Sequence, residues 1–231
     1  KHLLGVTKRF GQKSGNLVLS GGAAMNCVFN GLLDEWDIYQ DSYISSCPDD
    51  SGVSVGAALL AYFRLESGSR RKRSEFKDNF WGPAFADETL KDILHKFKIQ
   101  ASQPADLLGE VALALSEGQL VGWFQGAMEF GHRALGNRSI LADPRDVSTK
   151  DRVNFAVKYR EAFRPFAPAV LAERAQELFR LRPGRQVRFM ERVAHVQEEW
   201  KDRLCAVTHV DGTARIQTVE QEVNPKFYNL I

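Results

Sequence analysis

The chain has 231 residues, 44% of them hydrophobic and 26% charged, with a formal net charge of +2. That length can bury one large core or two modest ones, and the punctuation along the chain favours two. Charge this close to balance excludes polyanion binding across the whole surface, so any electrostatic function must come from local clustering.

In chain order, residues 17–19 read as a short buried strand running into Ser20-Gly21-Gly22, with a helix expected from residue 23 to about 33. A strand, a glycine turn and a helix N-terminus together offer unpaired N–H groups and a positive dipole end, which suit a phosphate or the ribose and phosphates of a nucleotide. Residues 42–46 are strand-like. Cys47-Pro48-Asp49-Asp50-Ser51-Gly52 then leads into a small-residue helix over 53–63. The run Ser67-Gly68-Ser69-Arg70-Arg71-Lys72-Arg73 is polar and basic and reads as a linker.

Beyond it the pattern becomes a more regular α/β alternation. Asp87 is expected to cap a helix with Leu90, Ile93, Leu94 and Phe97 on one face. A second helix spans 106–117, ended by Gly118, and residues 119–125 form the next strand. Residues 147–159 read as helix, 167–171 as strand and 173–180 as a short helix. Two strands, 204–210 and 214–219, flank Asp211-Gly212-Thr213 as a hairpin. Cys27, Cys47 and Cys205 lie far apart with no Cys-x-x-Cys pair, which argues for a reducing, cytoplasmic setting. No apolar run has the length of a membrane span, so no membrane partner is expected. With Lys1 in place of an initiator methionine and an apolar end at Ile231, the chain reads as part of a longer polypeptide.

The most informative stretch is Met128-Glu129-Phe130-Gly131-His132-Arg133-Ala134-Leu135-Gly136-Asn137-Arg138-Ser139, continuing to Asp143-Pro144-Arg145. Two arginines set between two glycines are the composition of an anion site built from guanidinium forks and backbone N–H groups. From 128 to 164 the cations Arg133, Arg138, Arg145, Lys150, Arg152, Lys158, Arg160 and Arg164 outnumber the acids Glu129, Asp143, Asp146, Asp151 and Glu161. Lys158 and Arg160 can equally be a solvated helix face paired with Asp151 and Glu161. Ser139 and Asn137 are candidate partners for phosphate groups, and Asn137 can instead hold the turn after Gly136. His209 and Arg215 bracket the Asp-Gly-Thr turn, as substrate contacts or as strand-end residues.

These pieces occur in a recognisable order. Ser20 to Cys27, the Asp50-Ser51-Gly52 turn with Gly56-Ala57-Ala58, Gly122 to Arg145, Lys158 to Pro168, and His209-Val210-Asp211-Gly212-Thr213-Ala214-Arg215-Ile216-Gln217 together resemble the O-carbamoyltransferases of the NodU and antibiotic-biosynthesis type. The resemblance implies an α/β protein: a C-terminal remnant of an actin-like ATPase (ASKHA) domain over 1–65, a linker over 66–85, and a YrdC-like twisted-sheet domain over 86–231, truncated at its C-terminus. It implies that carbamoyl phosphate and ATP combine in the YrdC-like part to give carbamoyl adenylate, with release of phosphate and pyrophosphate. The carbamoyl group then passes to the hydroxyl of a small-molecule acceptor, a natural product or sugar, beside a divalent metal (Fe or Mg) in the actin-like part.

By the same resemblance Arg133, Lys158, Arg160 and Arg164 are the catalytic cations. Gly21, Gly22, Asn26, Asn137, Arg138, Ser139, His209 and Arg215 are cofactor contacts, and Asp50 is a metal ligand. A family His-x-x-x-His pair and a later Asn-Thr-Ser-Phe-Asn segment are not within the chain, which leaves full activity of this piece in isolation in doubt. His132 stands where the family more often has proline and is set aside as a catalyst. An actin-like ATPase or sugar kinase, or a YrdC-type RNA-binding module, is the alternative reading; nucleic acid is disfavoured by the charge, and a homodimer is left open.

Overall fold

A computed structural model describes residues 5, 15–37, 39–65, 76–159, 161, 164 and 166–231, with Lys158 in its backbone only. The fold is a mixed α/β arrangement in which four short strand pairs organise the described residues. Strands β1 (Asn16–Leu19) and β2 (Asp41–Ile44) run parallel, joined through a 3-10 turn and helix α1 (Cys27–Glu35). Helix α1 begins one turn later than the sequence suggests, because the Asn26 side chain accepts the Phe29 N–H at 3.0 Å and so fixes the N-cap there. Helix α2 (Gly52–Leu65) follows.

In the later part, α3 (Asp87–Lys96) and α4 (Leu107–Ser116) precede β3 (Val121–Phe124), which pairs antiparallel with β4 (Arg138–Leu141). Asp106 caps α4 through the Gly109 N–H at 2.9 Å. Asp87 is not the cap of α3 but its first residue, where its charge meets the positive end of the helix. Helix α5 (Ser148–Val153) passes into a π turn over Asn154–Lys158, and Tyr159 ends it in the left-handed region.

The expected hairpin across Asp211-Gly212-Thr213 is corrected by the structure. Residues 201–207 form helical turns, closed by bonds such as Leu204 N–H to Trp200 C=O at 2.9 Å. The two strands after the turn, β7 (Thr213–Arg215) and β8 (Gln217–Val219), look elsewhere for partners. β7 pairs antiparallel with β6 (Val193–His195), and β8 pairs parallel with β5 (Ala169–Leu171). Short β-branched runs show strand propensity without naming the partner. Helix α6 (Ala175–Leu178) packs beside these strands, and α7 (Pro225–Leu230) is started by the Asn224 cap and by proline in its first turn.

Phe179, Val187, Val196, Ala214 and Ile216 form the centre of the main core, all at most 1% exposed. Trp123, Val219, Phe227 and Leu230 form a second cluster that anchors the base of the β3–β4 hairpin. Among the described residues no helix is long and apolar enough to cross a membrane.

Candidate functional site

The glycine and arginine block is the long loop of the β3–β4 hairpin, closed at its neck by Gln125 N–H donating to Asn137 C=O at 3.0 Å. Its organiser is a residue that sequence reading passed over. One carboxylate oxygen of Glu129, 9% exposed, accepts the backbone N–H groups of Leu135 and Asn137, each at 2.8 Å, and of Arg138 at 3.1 Å. These are N–H groups that a phosphate cradle would have used, and here they hold an anion belonging to the protein itself.

Two glycines make this folding possible. Gly131 has φ 135°, and a Cβ there would lie 2.5 Å from the Ser46 carbonyl oxygen; Gly136 has φ 104° and lies against the Phe227 ring.

The loop also absorbs the side chains expected to bind cofactor. Asn137, 4% exposed, donates to Ala127 C=O at 2.7 Å and accepts from the Asn224 amide at 3.0 Å. Ser139 Oγ accepts the Gly136 N–H at 3.0 Å. The Arg138 guanidinium donates to the carbonyls of Gln125, Asn137 and Gly126 and stacks 3.6 Å from the Phe124 ring centre. Arg145 forks onto Asp143. Arg133 differs: it is half-buried and has no hydrogen-bond or ion-pair partner among the described residues. Arg164 pairs with Glu161 at 2.9 Å, both exposed to solvent. Arg160 lies outside the described residues, and for Lys158 the structure gives only its place at the end of the π turn.

The loop is docked onto the amino-terminal region. Ser46 Oγ donates to Phe130 C=O at 3.0 Å, and His132 Nε2 meets Asp49 Oδ1 at 2.8 Å. Hydrogen bonds from Ser51 and His132 hold the Asp49 carboxyl below the usual range. The second half of the expected linker joins the same assembly. Phe130 N–H donates to Asn79 C=O at 2.7 Å, Gly82 N–H to Met128 C=O at 2.9 Å and Met128 N–H to Pro83 C=O at 3.0 Å, while Trp81 stacks on Phe130.

Gly21, φ 93°, donates its N–H to Pro48 C=O at 2.6 Å; Gly21 and Gly22 are exposed with open space around them. Asn26 is committed to its helix cap. Asp50 is exposed in the turn before α2, and its neighbour Asp49 makes the contacts across to the loop. Among the described residues no group of three or more His, Cys, Asp and Glu could hold a metal, so Asp50 has no such set of partner ligands among them.

Beyond the loop's far end, the turn at 209–213 carries a directed chain. Thr213 Oγ1 lies 2.7 Å from Asp211 Oδ1 and 3.0 Å from His209 Nδ1, and the Thr213 N–H also reaches Asp211 at 3.0 Å. Burial lowers the His209 pKa; Arg215 and Lys150 push the same way and Asp211 opposes them. Arg215 is on β7, two residues beyond Thr213. Ala206 N–H donates to Pro144 C=O at 3.1 Å, tying this segment to the Asp143-Pro144-Arg145 end of the block.

A second assembly was invisible in the sequence. Arg192, with a side chain 2% exposed, donates to Asn30 C=O, to Asp34 Oδ1 at 3.2 Å and to Ser42 C=O at 2.7 Å. Arg185 pairs with Asp34 at 3.0 Å and with Asp41, and Arg182 with Asp37 at 2.6 Å. Burial opposes ionisation of Asp41, but hydrogen bonds from Arg185 and the Ser42 N–H hold its carboxyl below the usual range. A cavity of about 440 Å³ opens beside these pairs, between β2 and the 182–191 loop. Partners some 150 residues apart leave no spacing signal.

Comparison with known proteins gives the family of the chain. Residues 5–59 match the family model of the carbamoyltransferase N-terminus and residues 112–231 that of the carbamoyltransferase C-terminus. Nodulation protein NolO of Bradyrhizobium diazoefficiens is 42% identical over 219 residues, covering 93% of this chain and 40% of the relative. Nodulation protein NolNO of Sinorhizobium fredii is 43% identical, covering 93% of this chain and 32% of the relative. The 3'-hydroxymethylcephem-O-carbamoyltransferase of Amycolatopsis lactamdurans is 34% identical, covering 93% and 39%. The chain thus spans 40% or less of these relatives' length.

Proposed function

The chain belongs to the carbamoyltransferase family of enzymes, and from that premise we propose that it is part of an ATP-dependent O-carbamoyltransferase. Its later region, a YrdC-like module in this reading, converts carbamoyl phosphate and ATP to carbamoyl adenylate. The region up to residue 65, a remnant of an actin-like module, belongs to the part of the protein that passes the carbamoyl group to a small-molecule hydroxyl. The family matches fall on either side of the 66–85 segment, which supports this division. The exposure of α2, which has no buried residue, and of Val18 on a parallel strand pair supports a module completed by sequence beyond this chain. A cytoplasmic location is part of the same reading.

The observation that carries the reading is the contrast among the arginines of the hairpin loop. Arg138 and Arg145 are satisfied by the protein, whereas half-buried Arg133 is held on a rigid loop with its guanidinium uncommitted among the described residues. A guanidinium so placed suits the planar, bidentate recognition of an acyl phosphate or a triphosphate. We assign Arg133 to substrate, with Lys158, Arg160 and Arg164 as further cations on the segment after α5, and Asn137, Arg138 and Ser139 to holding the loop. Gly21 and Gly22 remain proposed nucleotide contacts because the space around them is open. Catalysis is then mainly positioning and charge neutralisation. Among the described residues no metal site is assembled around Asp50, and the proposed roles are those of the cations alone.

The test uses the full-length protein. Pyrophosphate should be released, together with phosphate, when carbamoyl phosphate and ATP are supplied together, and no pyrophosphate should form when either is omitted. ATP hydrolysis that ignores carbamoyl phosphate would favour the actin-like ATPase or kinase alternative instead.

A further inference from the structure

The hydrogen-bond chain at the 209–213 turn assigns a tautomer. Asp211 is held below the usual carboxylate range, first by the Thr213 hydroxyl, so it is an ionised acceptor and the hydroxyl proton points to it at 2.7 Å. The Thr213 oxygen then has only lone pairs for His209, which must donate from Nδ1 at 3.0 Å. That leaves the lone pair on Nε2. This atom is buried and has no hydrogen-bond partner among the described residues. A buried, bare, correctly oriented imidazole nitrogen is costly to keep as a purely structural feature, and it is the arrangement of a general base with an orienting partner behind it. The charged groups facing it are Asp211 in its own turn, Arg215 on β7 and Lys150 on α5. The two cations favour the neutral imidazole and suit a multiply anionic substrate nearby.

Resting on the proposed function, we propose that His209 Nε2 is the base that activates water against carbamoyl phosphate, with Thr213 and Asp211 as positioning residues. Forming carbamoyl adenylate while releasing both phosphate and pyrophosphate consumes one water, so some group must take its proton. In the step assigned to His209, the water oxygen bonds to the carbonyl carbon as Nε2 takes one proton. The bond from that carbon to the bridging phosphate oxygen breaks, and the proton passes from Nε2 to the departing phosphate. The second water proton goes to solvent as carbamic acid ionises to carbamate. A carbamate oxygen then bonds to the α-phosphorus of ATP, and pyrophosphate leaves with the electrons of the broken P–O bond.

Ammonium carbamate supplied directly bypasses the water step, which gives the test. In the full-length protein, pyrophosphate exchange into ATP is measured with either carbamoyl phosphate or ammonium carbamate as donor. His209→Gln should lower the carbamoyl phosphate reaction on the order of 100-fold and leave the carbamate reaction within about 3-fold of wild type. Thr213→Val should lower the carbamoyl phosphate reaction less, and move the acidic limb of its pH profile, while sparing the carbamate reaction. Equal loss with both donors, or no loss with either, overturns the role of His209. Absence of exchange with both donors in the wild type instead removes the proposed function on which the role rests.

Discussion

Glu129 accepts the backbone N–H of Asn137 at 2.8 Å, eight residues along the same loop, and the same oxygen takes two further N–H groups. A carboxylate at the centre of three main-chain donors converts a glycine-rich loop into a fixed platform. Removing it would leave buried donors unpaired. Glu129→Ala is therefore expected to cost about 3 kcal/mol in urea unfolding. Glu129→Gln, which keeps one acceptor oxygen, should cost less. A loss under about 0.5 kcal/mol for the alanine variant would show that the loop does not depend on this carboxylate.

The Asp34 cluster should behave like a buried ion pair. Its carboxylate faces Arg185 and Arg192, whose side chains are 10% and 2% exposed, so Asp34→Ala strands two guanidinium groups inside the protein. The expected cost is about 3–5 kcal/mol. Asp37, whose side chain is 87% exposed although it meets Arg182 at 2.6 Å, should cost under about 1 kcal/mol when replaced by alanine. Chemical denaturation of the two variants side by side checks the ranking.

Stability should carry a His209 signature in pH. Its pKa is lowered in the folded chain, so the unfolded state binds the proton first as pH falls. The His209 contribution is complete above the ordinary value of 6.5 and is lost as pH drops through the lowered folded value. Asp211 is depressed from 3.8, so its own contribution is lost only at still more acid pH. Unfolding free energies measured from pH 7.5 to 5 should fall more steeply for wild type than for His209→Gln. Parallel curves would contradict the buried neutral imidazole.

Much of the local structure was legible in the sequence, and the long-range assembly was not. The helix capped by Asp106 and ended near Gly118 was readable because both signals are local. The hairpin at 211–213 was misplaced because the turn residues are real but the strand partner, Val193–His195, comes from elsewhere. The loop from 128 to 139 was rightly singled out by composition. Its internal anion was missed because a glutamate folding back on N–H groups six to nine residues later has no periodic signature. Asn137, Arg138 and Ser139 looked like ligand contacts for the same reason that they serve the loop so well: their donors and acceptors are dense and short-range.

Arg133 and Arg138 offer the sharpest contrast between substrate binding and scaffolding. Arg133→Ala should leave unfolding free energy within about 0.5 kcal/mol, whereas Arg138→Ala removes several bonds to carbonyls and the stack on Phe124 and should cost about 2–3 kcal/mol. Thermal denaturation of the pair separates the two roles.

In the proposed reaction the later region makes carbamoyl adenylate with Arg133 on the substrate. The direct measurement is exchange of labelled pyrophosphate into ATP by the full-length protein, with and without carbamoyl phosphate. With no carbamate added, exchange is expected to require carbamoyl phosphate and to fall on the order of 100-fold in Arg133→Ala. Exchange with no carbamoyl donor supplied, or an undiminished rate in Arg133→Ala, would overturn the assignment.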